Sequence, residues 1–270
     1  MIMGNPEGVF CAQKKDGSIY YRSSVTYQKK HISLGSFSSA AKAHNAYLEA
    51  CRLLKGNASV SPKDYHEKSA LSFEKWVILL NFKENHVYFP TPIYVRPHFF
   101  YYYYSREHIL KFDVDDLFYY ASHKIMKRGG HYFVADFGMQ VNILNRYGIK
   151  NYAVAGRDYI FRNGDATDFR RENLEIHNQY HGVLIMKKET GISYRARIHV
   201  NGNYIIGTYR TMEEAAIAYN KAIDILKKNG CRKNYTPNYL ENISAAAYAD
   251  IYTRLPVSDK IKLLTFPNNQ

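Results

Sequence analysis

The chain contains an internal repeat, and this limits its fold more than any other feature. Near the C-terminus it reads Gly182-Val183, YRARIHV (194–200), IIGTYRT (205–211) and EEAAIAYNKAIDILKK (213–228). Near the N-terminus it reads Gly8-Val9, YRSSVTY (21–27), SLGSFSS (33–39) and AKAHNAYLEACRLLK (41–55). At an offset of 172 residues Gly207 falls on Gly35. Ala215, Ala218, Tyr219, Ala222 and Leu226 then fall on the identical Ala43, Ala46, Tyr47, Ala50 and Leu54. Upstream, Tyr194-Arg195 matches Tyr21-Arg22 at an offset of 173. The one-residue change falls at a turn, Asn201–Asn203 against Gln28–His31, where insertions are tolerated.

Each copy predicts three short antiparallel strands covered by one helix. Ala196 and Ile198 alternate with Arg195, Arg197 and His199, the pattern of a half-buried strand with a basic outer face. Asn201-Gly202 predicts a hairpin turn with positive φ. Thr211 is expected to cap the second helix, with Glu213 and Glu214 at its positive end; Ser38 or Ser39 caps the first. The shared Ala, Tyr and Leu positions lie on one helical face, where alanines let a helix approach a sheet closely.

Charge is concentrated in the repeats. The net charge is +13, of which residues 4–57 hold +5 and 182–235 hold +6. Such a balance favours a polyanionic partner. The longest apolar runs, Trp76–Leu80 and Phe99–Tyr104, are too short for a membrane span, and MIMGNPEGVFCAQKK has no leader pattern. Membrane is therefore not expected as a partner. Three cysteines without a C-x-x-C pair argue against a disulfide framework or cysteine zinc site. A reducing compartment is expected: the cytoplasm, with the nucleoid if the chain is bacterial.

The pattern Gly-Val, Tyr-Arg-Ala-x-Ile, Ile-Gly-Thr-Tyr and Thr-x-Glu-Glu-Ala-Ala-x-Ala-Tyr-Asn resembles the DNA-binding domain of the APETALA / ethylene-response-factor family. The likeness covers residues 182–235 and, with fewer identities, 8–57. It implies that the sheets enter the major groove of double-stranded DNA and that their outward residues read bases. In the second copy those residues are Arg195, Arg197, His199, Asn203 and Ile205, with Lys187 and Lys188 near phosphates. In the first they are Arg22, Ser24, Thr26, His31 and Ser33, with Lys14, Lys15, Lys29 and Lys30 near the backbone. The chain departs from the family in having Leu184 and Met186, not arginines, on the first strand. Ile205 and Ser33 stand where the family has a tryptophan. The family's target sequence is not carried over, and two unlike half-sites are expected.

The middle of the chain predicts helices over Asp113–Lys127 and Met139–Tyr147, and strands at Tyr152–Val154 and Tyr159–Phe161. The aromatics of Phe99–Tyr104 and Tyr119-Tyr120 are expected in core and hairpin surface. RNGDATDFRRENLEIHN (162–178) resembles the His-Asn-His nuclease motif of homing endonucleases through Asn163, Gly164, Asp165, Asp168, Arg170, Asn173 and Leu174. The family's histidines precede the turn, where this chain has Ile160, Phe161 and Arg162. Metal-assisted hydrolysis needs a general base there, and these side chains cannot supply one. Asn163, Asp165, Asp168, Arg170 and Asn173 are therefore expected to be structural. His177 and His181 could supply only half a metal site, with Asp165 or Asp168.

The expected fold class is α+β, with two sheet-and-helix modules (4–57 and 182–235) flanking a central degenerate nuclease-like ββα domain (63–181). A helical tail follows (236–270), its helix at 243–254 having Ala246, Ala247, Ile251 and Leu255 on the apolar side. It packs on the last module or on a second subunit of a homodimer; the sequence leaves both open. The expected function is sequence-specific binding of double-stranded DNA, in a transcriptional regulator or mobile-element control protein. No catalytic residue, metal, cofactor or small-molecule substrate is expected. A working homing-type endonuclease with metal-dependent cleavage is the alternative, and an architectural or RNA-binding protein the third reading.

Overall fold

A computed structural model describes residues 5–189 and 191–266, without the side chain of Lys188. The fold is mixed α+β, with three-stranded antiparallel sheets alternating with helices. The described chain divides into two compact units. One contains the chain up to Ile143 together with Asn163–Asn173; the other contains Leu144–Arg162 and the chain from Leu174 onward. The stretch 63–181 is thus divided between them.

In the first unit β1 (Val9–Gln13), β2 (Ile19–Tyr27) and β3 (Lys30–Phe37) form a meander, followed by α1 (Ala40–Lys55). The Ser39 side chain accepts the Lys42 N–H and so caps α1. Val25, Ile32 and Leu34 point inward onto Ala46, Ala50 and Leu54. Ala43, Ala46 and Ala50 are fully buried, which lets α1 lie close on the sheet. Then come α2 (Phe73–Asn85), the sheet β4 (Ile93–Val95), β5 (Phe99–Tyr103) and β6 (Ile109–Asp113), and a short α3 (Leu117–Ser122). A further meander has β7 (Met126–Arg128), β8 (His131–Asp136) and β9 (Met139–Asn142).

The second unit has the hairpin β10 (Tyr159–Phe161) and β11 (Leu174–Ile176). The meander β12 (Val183–Lys188), β13 (Gly191–His199) and β14 (Asn203–Tyr209) follows, with α4 (Met212–Lys228). Thr211 and Glu214 form a reciprocal capping box. Two helices, α5 (Ala245–Arg254) and α6 (Asp259–Lys262), follow in the tail.

The sequence repeat is a structural repeat at the level of single residues. β2 pairs with β3 as Ser23↔Gly35 and then Ser24↔Ser33, leaving Leu34 as the extra residue of a bulge. β13 pairs with β14 as Ala196↔Gly207 and then Arg197↔Ile205, leaving Ile206 in the same place. Both extra residues are buried in their cores, 3% and 1% exposed. The offset change has a clear cause. Thr26↔His31 encloses four residues, whereas His199↔Asn203 encloses three.

Several local expectations are corrected. Asp113–Lys127 is not one helix. Asp113 ends β6, only Leu117–Ser122 is α-helical, and Met126 begins β7. Gly129 and Gly130, with φ of 56° and 82°, close a two-residue hairpin between Arg128 and His131 and do not stop a helix. Met139–Tyr147 splits into β9 and a 3-10 turn at Ile143–Tyr147. Tyr152–Val154 forms no strand, because Val154 N–H is bound by the Asp158 carboxylate in a turn. At Asn201-Gly202 neither residue has positive φ; the extra residue closes the loop through a Val200 N–H bond to the Gly202 carbonyl. In α5, Ala246 and Ala247 are exposed. The packed side is Tyr248, Ile251 and Tyr252, and it lies on the core of the second module. No helix among the described residues is long and apolar enough to cross a membrane.

Candidate nucleic-acid interface

Each sheet has one face under its helix and one that no helix among the described residues covers, so strand alternation sorts the residues. On the second sheet the open face has Leu184, Arg195 and Thr208 in one cross-strand row, because β12, β13 and β14 pair there. Arg197 lies opposite Ile205, and His199 opposite Asn203. His199 and Asn203 are exposed; Arg195 and Arg197 are half-buried by their neighbours' stems. Neither arginine side chain makes a hydrogen bond or ion pair among the described residues, and Arg195 Nε is buried without a partner. An unpaired buried guanidinium N–H is costly, so this face has unused donor capacity. Ile205 is 51% exposed and adds an apolar contact. Lys187 is exposed near the first hairpin; Lys188 ends β12, its side chain outside the described atoms.

The first sheet has the same frame with different chemistry. Arg22 faces outward, but its Nη2 donates to the Tyr20 hydroxyl at 2.8 Å and its guanidinium lies 5.5 Å from the Tyr20 ring. Ser24 is 8% exposed, while Thr26, His31, Ser33 and Ser36 are exposed polar residues of this sheet. Phe10, paired with Arg22, is 56% exposed on this face. Lys14, Lys15 and Lys29 are exposed in the hairpins, and Lys30 lies 5.0 Å over the Tyr88 ring. Sequence reasoning missed Tyr20 and Tyr88: Tyr20 lies two residues before Arg22 on β2, and Tyr88 lies in an irregular segment that only the tertiary fold brings under Lys30.

The nuclease-like segment is held by its own side chains. In the first unit the Asp168 carboxylate, 2% exposed, accepts from Arg170 Nε at 2.9 Å, Arg170 Nη2 at 2.8 Å and Asn163 Nδ2 at 3.1 Å. Lys111 Nζ lies 3.8 Å away. Burial opposes the charge of Asp168, but the Arg170 bonds and the nearby Lys111 outweigh it and hold the carboxyl below its usual range. Asn173 accepts from Asn163 N–H and donates to the Asp168 carbonyl, both at 2.8 Å. Asp165 binds Thr167 in a local turn. The donor capacity of Arg170 and Asn173 is thus turned inward onto the loop.

The two histidines weighed as half a metal site do not converge. His177 lies beside Glu175, whereas the His181 ring packs edge-on between Tyr152 and Tyr219. Burial pushes the His181 imidazole pKa down. Residues 177–182 form no helix, so the i, i+4 spacing does not put the two on one face. No group of three His, Cys, Asp or Glu among the described residues could hold a metal ion. No family model, curated protein or solved structure matches the chain.

Proposed function

We propose that the chain binds double-stranded DNA sequence-specifically through the open faces of its two sheets, as a regulator of transcription or of a mobile element. One observation carries this reading. Two sheets of matching register, bulge and helix cover each leave one face open, and that of the second module holds the side chains of Arg195, Arg197, His199 and Asn203 without hydrogen-bond partners among the described residues. A two- or three-stranded ribbon suits the major groove, about 12 Å wide. Arginine reads guanine there through two donors, and asparagine reads adenine. The repeats hold most of the net charge, which suits the phosphate backbone.

The loop at Asn163–Asn173 is proposed as a structural remnant of a nuclease-like element. Its polar groups bond to each other, and its flanking positions Ile160, Phe161 and Arg162 supply no general base. Selection of duplexes from a random library, with magnesium present and recovered ends sequenced, tests both points. An enriched two-part motif in uncut DNA is expected. Cuts at a fixed position would make the protein a nuclease, and binding without enrichment would make it an architectural protein held by phosphates.

A further inference from the structure

The second module has a cleft formed with residues that precede the repeat. Arg157 lines it with Arg197, His199, Asn203, Asn178 and His181. Its volume is about 180 Å³, enough for roughly six waters or one phosphate group. Among the described residues no acidic side chain lines it. Arg197, His199 and Asn203 belong to the open sheet face, so the cleft is the lateral margin of that face.

Arg157 is fixed in place. Its Nε donates to both Asp158 oxygens at 3.1 Å, while the side chain remains 43% exposed. Asp158, 1% exposed, also accepts from Val154 N–H at 2.9 Å and Asn178 Nδ2 at 3.0 Å. Asn178 in turn donates to the Val183 carbonyl at 2.8 Å, at the start of β12. The guanidinium is therefore tied through two side chains to the sheet whose margin it extends. A held arginine loses little freedom on binding, and its outer N–H groups match phosphate oxygens.

We propose that this cleft binds one phosphodiester of the duplex, with Arg157 as the charged contact, and so fixes the register of the second sheet in the groove. The proposal rests on the DNA-binding reading above. It makes the second module the primary anchor and the first an auxiliary reader.

The test uses the full chain and a duplex enriched by the wild-type protein, with a shuffled duplex as control. Arg157→Gln keeps a hydrogen-bond donor toward Asp158 while removing the charge, and circular dichroism verifies its fold. The variant is expected to lose affinity for both duplexes by the same factor. Its slope of log affinity against log salt should fall by about one, and Arg157→Lys should restore much of that slope. Neutral methylphosphonate, placed at single backbone positions, should reveal one phosphate whose loss weakens wild type and leaves Arg157→Gln unaffected. If Arg157→Gln retains full affinity and slope while Arg195→Ala with Arg197→Ala relaxes specificity, the cleft proposal is overturned and DNA reading stands. If no duplex is enriched and none of these variants changes binding, the DNA reading itself falls.

Discussion

Glu49 and Lys221 occupy the same position of the two repeats, 172 residues apart, and hold the backbone packed on their helices with opposite polarity. Glu49, 8% exposed on α1, accepts from Ser69 Oγ at 2.7 Å and Ala70 N–H at 2.6 Å, just before α2. Lys221 on α4 donates to the carbonyls of Tyr252 at 2.7 Å and Leu255 at 2.9 Å, at the end of α5. An anion thus meets the N–H groups ahead of one helix, and a cation meets the open carbonyls ending another, as their termini require. Glu49→Ala should destabilise its unit by about 2–3 kcal/mol, since buried N–H groups lose a charged acceptor. Lys221→Ala should cost about 1–2 kcal/mol, because it is less buried and water can replace it. The charge swap Glu49→Lys should cost more than Glu49→Ala. Urea denaturation followed separately in each unit measures all three, and equal stability of Glu49→Lys and wild type would refute the clamp.

A second paired position accounts for the Gly-Val that opens each repeat. Gly8 and Gly182 both have φ of 74°. A Cβ on Gly8 would lie 2.1 Å from Cδ2 of Tyr47, and one on Gly182 would lie 2.3 Å from Cδ2 of Tyr219. These tyrosines are the repeat's shared pair, so glycine and ring form one packing unit. Alanine at either site should cost about 2–4 kcal/mol, from unfavourable left-handed backbone and overpacking together. Thermal unfolding measures this, and a loss smaller at both sites than that of Gly202→Ala, where a Cβ would meet no atom within 4 Å, would refute the account.

The repeat, its strand parity and its helix caps were legible in the sequence because they depend on near neighbours and on period. The bulges at Leu34 and Ile206 were not, since each becomes visible only when two strands are paired. Residues 113–127 misled for a related reason. Leu117, Tyr120 and Ala121 do have helical spacing, and they form one short helix. Beyond it Ile125 is 2% exposed and its N–H is taken by the buried Tyr102 hydroxyl, while Gly129-Gly130 turns the chain back on itself. Tertiary burial there outweighs local propensity. On the interface, the outward residues followed from alternation. The pairing of Arg22 with Tyr20 and the position of Arg157 depend on contacts that no spacing encodes.

Asp168 should make the first unit acid-sensitive. Its carboxyl is held below the ordinary value of 3.8 despite burial, chiefly by Arg170. A depressed folded pKa contributes stability that is fully present above the unfolded value and is lost as pH falls through the folded value. Stability of this unit should therefore hold down to about pH 4 and decline below it. Asp168→Asn should cost about 3–5 kcal/mol at neutral pH, because Arg170 and Lys111 lose their buried counter-charge, and should flatten the acid limb. Denaturation midpoints from neutral to acid pH decide the matter; an unchanged acid limb in Asp168→Asn would assign the effect to other carboxylates.

The two open faces should differ in what they contribute to recognition. The side chains of Arg195 and Arg197 are unpaired among the described residues, so their donors can go to base edges without breaking a described contact. Arg22 must first leave the Tyr20 hydroxyl and ring, which offsets part of any gain on the first sheet. Alanine at Arg195 or Arg197 should thus cost about 1–3 kcal/mol on the preferred duplex and much less on shuffled DNA, relaxing specificity at the bases concerned. Arg22→Ala should cost less on the preferred duplex, and Lys187→Ala should weaken all duplexes alike while lowering the salt slope by about one. Competition binding with every single-base variant of the selected site separates the cases. If Arg22→Ala relaxes specificity as much as Arg195→Ala does, the two sheets read DNA equally and the Tyr20 contact does not restrain Arg22.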